Sequence, residues 1–165
     1  MKVRYALSIA VLTLSLPLAA QQPAPAPAPP PQYGPNITLD QARKAAAGSE
    51  AEARKNGWPM AIAVVDTAGV LVYFQKLENT QNASAQIAQD KAVSAANYRR
   101  PTKAFQDALA AGGAGLRILH LRGAIAVEGG VPVFVDGKIV GAVGVSGGTA
   151  EQDGQVAKAG ADALK

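Results

Sequence analysis

The chain of 165 residues contains, at residues 131–145, the stretch VPVFVDGKIVGAVGV. Two valine-rich apolar runs flank Asp136-Gly137, and an Asp-Gly pair between such runs is a strong indication of a type I′ hairpin turn. The second run continues through Ser146-Gly147-Gly148 into a helix-like segment that starts at Thr149. This stretch therefore predicts an antiparallel hairpin that leads directly into the last helix.

Toward the N-terminus, the pattern adds a helix and a second hairpin. Thr38 has the spacing of a capping box, and Asn56-Gly57 provides the glycine that commonly ends a helix. Two further apolar runs, residues 61–65 and 70–74, are separated by a short turn. Their β-branched and aromatic residues predict a second pair of antiparallel strands.

The segment between the two hairpins predicts two helices and one more strand. An alanine-rich helix is expected over residues 84–100, and Pro101 ends it and starts a helix that reaches Leu109. The glycines of residues 111–115 predict a mobile link, and residues 124–127 predict a strand. The order α-ββ-α-α-β-ββ-α, with hairpins dominant, predicts an α+β fold with helices packed on a largely antiparallel sheet.

The N-terminal region predicts export. Residues 1–20 combine Lys2 and Arg4 with a charge-free apolar run and a small-residue cleavage site, as in secretory signal peptides. The alternative is an uncleaved anchor, but the run is shorter than the roughly 20 residues of a comfortable membrane span. Residues 21–36 are rich in proline and alanine and predict an extended linker. The expected organisation is a signal peptide, this linker and one domain over residues 37–165, in a periplasmic or extracellular protein without a stable membrane span after cleavage.

Composition excludes several classes of function. The chain has no cysteine, so thiolate catalysis, iron–sulfur clusters and cysteine zinc sites are excluded. Its formal charge of +4 falls to about +2 without Lys2 and Arg4. The remaining basic residues are scattered and aromatic residues are few, so a nucleic-acid partner is not expected.

Ser146 lies in a G-x-S-x-G pattern, which is typical of a serine-hydrolase nucleophile elbow. That elbow belongs to a parallel sheet and needs a histidine later in the chain, whereas the sole histidine, His120, precedes it. We therefore do not favour serine hydrolysis. The turn Ser146-Gly147-Gly148 precedes a helix, and its N–H groups would suit an anion such as a carboxylate. The alternative is that its glycines only let the strand enter the helix.

Acidic residues follow this turn. Glu151 and Asp153 are two positions apart in the first turns of the last helix. Residues at that spacing do not share a helix face, so a catalytic carboxylate pair is not favoured. We expect both to stabilise the positive end of the helix dipole.

Five stretches in a fixed order carry a family signature: MAIAVVDTAG at 60–69, Lys91-Ala92, Arg100-Pro101-Thr102, GGVP at 129–132 and DGKIVGAVGVSGGTAEQD at 136–153. With them the chain resembles the GlcG/HbpS family of haem-binding or haem-degrading domains, related to the C-terminal domain of PduO-type proteins. The resemblance runs from Thr38 to Leu164. It implies an α+β fold with a five-stranded antiparallel sheet, a homo-oligomer, and haem or another tetrapyrrole as ligand.

A haem ligand gives the polar residues candidate roles. His120 would be an axial ligand to the iron, or else a structural histidine between two leucines. Tyr98 and Met60 are the other axial candidates. Lys91, Arg99 and Arg100 would pair with the propionates, or else belong to a solvated helix end.

Two further groups complete the candidate binding residues. Thr102 is a weaker contact candidate, and Ser146-Gly147-Gly148 forms the candidate anion site. The function implied is an exported haem-binding protein for sequestration or sensing, with slow haem degradation as an additional activity. One alternative is a small enzyme or binding module for a carboxylate or carbonyl metabolite at that turn. Another is an interaction protein without a small ligand. Whether the protein is an enzyme stays open.

Overall fold

The computed structural model describes residues 29–165, so the predicted signal peptide and the first half of the predicted linker, residues 21–28, lie outside the described residues. The elements are α1 (Leu39–Asn56), β1 (Ala61–Asp66), β2 (Leu71–Lys76), α2 (Ser84–Tyr98), α3 (Lys103–Ala110), a 3-10 helix (Gly113–His120), β3 (Gly130–Val135), β4 (Lys138–Ser146) and α4 (Ala150–Asp162). Within this part of the chain, no helix combines the length and apolarity that a membrane crossing needs.

The sheet has four strands in the order β2-β1-β4-β3, and every neighbouring pair is antiparallel. The α+β class is confirmed, but the expected fifth strand at residues 124–127 is wrong. The backbone N–H of Ile125 donates to Ser94 Oγ at 3.0 Å, and that of Ala124 donates to the carbonyl of Leu121 at 3.2 Å. Because these donors bond to α2 and to a local turn, the segment does not join the sheet.

The hairpin at residues 131–145 forms as predicted. Asp136 and Gly137 have φ angles of 50° and 73°, and a type I′ turn needs positive φ at both positions. The hairpin's second strand, β4, pairs with β3 on one edge and β1 on the other. It is therefore central, and every β4 residue after Lys138 is buried.

Helices cover both faces of the sheet. On one face, α1 and α4 pack over Ile62, Val64 and Val143. On the other, the alanines of α2 pack over Ala63 and Ala142. Capping boxes at Thr38 and Thr149 start α1 and α4, as the sequence predicts. The last strand therefore passes into α4 through the turn at residues 146–148.

The glycine-rich link also differs from expectation. Residues 113–120 form the 3-10 helix, which packs against α3. Gly115 permits this close approach because it has no side chain. A Cβ at this position would overlap the carbonyl oxygen of Ala108. The pair of short helices creates an exposed groove beside the end of α2.

Candidate functional site

The sequence-predicted site residues lie in three separate places. One group lies in the interior beside the end of β4 and consists of Lys91, Thr102, Ser146, Gly147 and Gly148. A second group, Tyr98, Arg100 and His120, lies beside the exposed groove between α3 and the 3-10 helix. Arg99 lies apart from both, at the end of the linker.

Lys91 forms a buried ion pair with Asp153. The side chains are 1% and 4% exposed, and Nζ lies 2.6 Å from Oδ2. Lys91 Nζ also donates to the carbonyl of Val145 at 3.1 Å. Burial raises the pKa of Asp153, and the hydrogen bonds from Lys91 and from the turn offset part of that rise. Because its ammonium group is engaged internally, the structure gives Lys91 a role other than propionate binding.

The turn before α4 already holds an anion, the carboxylate of Asp153. The N–H of Gly148 donates to Asp153 Oδ1 at 3.0 Å. The N–H of Thr149 donates to Gln152 Oε1 at 3.0 Å. In the sequence, the N–H groups of this turn suggested a site for an external anion. In the structure, those of Gly148 and Thr149 donate to partners inside the protein.

Ser146 and Thr102 are also buried. Ser146 Oγ donates to Ser84 Oγ at 3.1 Å. Thr102 Oγ1 accepts from the N–H of Gly130 at 2.9 Å, and the N–H of Thr102 donates to the Gly130 carbonyl at 3.0 Å. Met60, a candidate axial group in the sequence, lies fully buried in the core. The two bonds of Thr102 join the α2–α3 connection to the start of β3. The bond of Ser146 joins the end of β4 to the start of α2.

Arg99 fastens the end of the linker to α2. Its guanidinium lies 5.4 Å from the centre of the Tyr33 ring, and Nη1 donates to the Pro31 carbonyl at 3.2 Å. The Tyr33 hydroxyl donates to the carbonyl of Ala96 at 2.8 Å. These interactions favour a structural role for Arg99 over a ligand role.

The exposed groove has an apolar floor and two guanidinium groups. Phe105 is buried at its base, where the ring of Tyr98 packs edge-on at 5.1 Å between centroids. The guanidinium of Arg100 lies 5.7 Å from the Phe105 ring centre. The cavity measures about 250 Å³ and is lined by Arg100, Ala104, Phe105, Ala108, Ala114, Gly115, Arg117, Ile118 and Leu121.

His120 lies next to the lining residues of this groove along the chain. It is exposed at the end of the 3-10 helix, between the lining residues Ile118 and Leu121. In a 3-10 helix, residues three apart lie above one another, so His120 shares a face with Arg117. The Tyr98 hydroxyl donates to the Arg122 carbonyl at 2.7 Å and its ring packs on Phe105, so Tyr98 supports the floor of the groove.

Sequence reasoning missed three residues of these sites. Arg117 and Phe105 were not predicted in the groove, and Asp153 was treated only as a helix-terminal acid. The alternation LRILHLR at residues 116–122 was a signal for the groove, because it places basic groups among exposed leucines. For Asp153 no local pattern could reveal its partner, because Lys91 lies 62 residues earlier.

The fold and this geometry define a small α+β domain with a four-stranded antiparallel sheet, helices on both faces and an exposed apolar groove. The family model described as "Haem degrading protein HbpS-like" matches residues 37–162. The chain therefore belongs to the HbpS-like family, which confirms the resemblance found in the sequence.

Relatives agree with this assignment. A 15.0 kDa protein of Citrobacter freundii, encoded between dhaT and dhaS, is 37% identical over 128 residues, which cover 76% of this chain and 90% of the relative. Protein GlcG of Escherichia coli K12 is 46% identical over 101 residues, covering 61% of this chain and 73% of GlcG.

Solved structures share the fold. Klebsiella pneumoniae ORFY has a TM-score of 0.72 at 32% identity, covering 81% of this chain and 93% of ORFY. A double mutant of Streptomyces reticuli HbpS has a TM-score of 0.72 at 28% identity, covering 93% of this chain and 99% of HbpS. The haem complex of PduOC has a TM-score of 0.70 at 21% identity, covering 79% of this chain and 96% of PduOC, and this likeness shows the fold alone.

Proposed function

We propose that this protein binds haem or a related tetrapyrrole in the groove between α3 and the 3-10 helix. One observation carries the proposal. The groove combines an aromatic floor at Phe105 with Arg100 and Arg117, and His120, the only imidazole of the chain, directly precedes the lining residue Leu121.

These groups match the chemistry of haem. The apolar floor suits the face of the macrocycle, and Arg100 and Arg117 suit the propionates because guanidinium pairs with carboxylate through charge-assisted hydrogen bonds. His120 supplies an imidazole for the iron. When bound, the iron supplies redox and oxygen chemistry, on which any haem degradation would depend.

The size of the groove favours a partly exposed ligand. Its volume of about 250 Å³ is below the range of about 300–1,000 Å³ typical of pockets that enclose a ligand. A macrocycle held there keeps one edge in solvent. This geometry supports sequestration, transfer or sensing of haem more strongly than enclosed catalysis.

The comparisons support this proposal. The matching family is named for haem degradation, and a protein of the same fold, PduOC, has been solved with haem. Export to the periplasm or the extracellular space is part of the proposal and rests on the leader-like residues 1–20. A homo-oligomer is also part of it and rests on the family resemblance. No observation favours the small-carboxylate alternative, since Asp153 engages the donors of the turn.

A haemin titration followed by visible absorbance tests the proposal. We expect a saturable, one-site Soret shift with the chain from Gln21 onward. His120→Ala should change the Soret position and weaken binding about tenfold or more. The double variant Arg100→Ala/Arg117→Ala should weaken binding about tenfold while leaving the iron spectrum unchanged, because charged hydrogen bonds at exposed sites contribute on the order of 1 kcal/mol.

Arg43→Ala provides the matched control, because Arg43 is an exposed arginine on α1. It should bind haemin like the unchanged chain. A shift that persists unchanged in His120→Ala would remove His120 as the axial ligand. The absence of any saturable shift at micromolar haemin would overturn haem binding by this protein.

A further inference from the structure

A second cavity lies on the other side of the α2–α3 connection. It occupies about 310 Å³ between β3, α4 and the start of α3. Arg100 lines the haem groove and Pro101 lines this cavity, so consecutive residues separate the two. Val131, Pro132, Phe134 and Ala161 provide an apolar, partly aromatic wall. A cavity of this size and composition suits a small apolar molecule.

The lysines at the rim already have partners. Lys103 Nζ contacts both carboxylate oxygens of Asp107, at 2.7 and 2.9 Å. Lys158 and Lys165 both pair with Asp162. Two carboxylates, Asp107 and Asp162, therefore neutralise two of these three positive charges, which weakens the attraction of the rim for an anionic ligand.

Glu128 also lines this cavity, and its contacts differ from those of the paired lysines. Within residues 29–165, its carboxylate forms no hydrogen bond or ion pair, and the residue is partly exposed where it lines the cavity. The main chain at this residue is anchored, because the backbone N–H of Glu128 donates to Gln106 Oε1 at 2.8 Å. Its carboxylate lies against Gly154 of α4, where a Cβ would overlap it.

We propose that this cavity is a binding site for a small apolar amine, whose ammonium group pairs with Glu128 and whose hydrocarbon or aromatic body packs against Val131 and Phe134. Glu128 is only partly buried, so its carboxylate is hydrated in the free protein. A bound ammonium group would replace that water with a charge-assisted hydrogen bond beside the apolar wall. The site does not depend on the haem groove.

The charge of Glu128 gives the site a pH dependence. Burial raises the pKa of this carboxyl group, while Lys103 and Lys91 lower it and Glu151 and Asp107 raise it further. The ammonium pairs with the ionised form, so amine affinity should fall as the pH drops and Glu128 takes up a proton. Binding of a neutral analogue should not follow this trend.

The test compares three probes of one shape with the full chain: 2-phenylethylamine, 2-phenylethanol and 3-phenylpropionate. Binding is followed by amide NMR shifts of β3 and α4. We expect the amine to bind at least about tenfold more tightly than the alcohol, and the carboxylate most weakly, as one charge-assisted hydrogen bond predicts. Glu128→Gln should reduce the amine to the affinity of the alcohol. Haemin binding should be unchanged in this variant.

Two further variants make the result specific. Glu78→Gln, at an exposed acid distant from the cavity, should bind the amine normally. Val131→Phe should fill the cavity and abolish binding of both the amine and the alcohol, with thermal melting to check that it folds. Equal amine affinity in Glu128→Gln, tightest binding of the carboxylate, or no saturable shift with any probe would each overturn the proposal.

Discussion

Lys91 and Asp153 show how one buried contact organises a whole region. Removing two charges from water is costly, so a buried pair persists only when further hydrogen bonds satisfy it. Here Val145 and Gly148 supply those bonds. Gly129 lies beside the pair with a φ of 128°, and a Cβ there would fall 2.8 Å from Lys91 Nζ. The glycine next to β3 therefore makes room for the ammonium group.

Asp153→Ala should strongly destabilise the protein. The substitution leaves the Lys91 ammonium group buried without its anion, and breaking a buried pair costs about 3–5 kcal/mol. Urea denaturation measures the change in the free energy of unfolding. Glu151→Gln, at an exposed acid in the first turn of the same helix, should cost less, about 0.3–1 kcal/mol, because it loses only its interaction with the helix dipole.

A double variant tests whether Asp153→Ala loses stability through the unpaired charge or through lost packing. Lys91→Met with Asp153→Leu removes both charges, and apolar replacement of a buried pair is often close to neutral. The double variant should therefore be more stable than Asp153→Ala alone. An Asp153→Ala variant as stable as Glu151→Gln would contradict the internal-anion interpretation of the turn.

At the scale of elements, the packing of α2 on β4 depends on small residues. A Cβ at Gly144 would overlap the carbonyl oxygen of Ala88 and crowd Ala92. On the helix side, Ala88, Ala92 and Ala95 are fully buried. Helix and strand therefore touch backbone to backbone, and this contact positions Lys91 below the end of β4.

Gly144→Ala should cost about 2 kcal/mol or more of unfolding free energy, because overpacking a tight contact forces backbone shifts. Since the nearest atom belongs to the Ala88 backbone, adding Ala92→Gly should not restore stability. Thermal and urea unfolding of the single and double variants measure this. Full rescue by Ala92→Gly would show that side-chain crowding, rather than backbone contact, sets the spacing.

At the scale of the whole molecule, the last part of the predicted linker belongs to the folded unit. Tyr33 forms a parallel bridge with Ile139 at the start of β4. The N–H of Ile139 donates to the Gln32 carbonyl at 2.9 Å, and the N–H of Gly34 donates to the Ile139 carbonyl at 2.8 Å. Together with Arg99, these bonds fix where the proline-rich segment leaves the fold.

A chain that begins at Pro35 should be about 2 kcal/mol less stable than one that begins at Gln21. It lacks the backbone bonds to Ile139 and the hydroxyl bond of Tyr33, each of which contributes about 0.5–1.5 kcal/mol. Urea unfolding of the two chains measures the difference. Tyr33→Phe in the longer chain should show a smaller loss of the same sign. Equal stability of the two chains would mean that this segment does not contribute to the fold.

The groove illustrates what local sequence patterns can and cannot give. His120, Tyr98 and Arg100 were all identified by residue type. In the structure Arg100 lines the groove, Tyr98 packs on its floor residue Phe105, and His120 directly precedes the lining residue Leu121. Arg117 was missed because residues 111–115 were expected to be a mobile link and no helix was predicted over residues 113–120. Once the helix is known, the three-residue spacing from Arg117 to His120 places both on one face.

By itself, the sequence determined the α+β class, the Asp136-Gly137 hairpin, the two capped helices and the family, because turn chemistry, capping and apolar runs are local properties. Only the tertiary structure decided that residues 124–127 leave the sheet and that Asp153 pairs with Lys91. It also decided which basic side chains face solvent and which form ion pairs in the interior. Those outcomes depend on contacts between residues far apart in the chain, where burial and the need to satisfy every buried polar group select one partner among several.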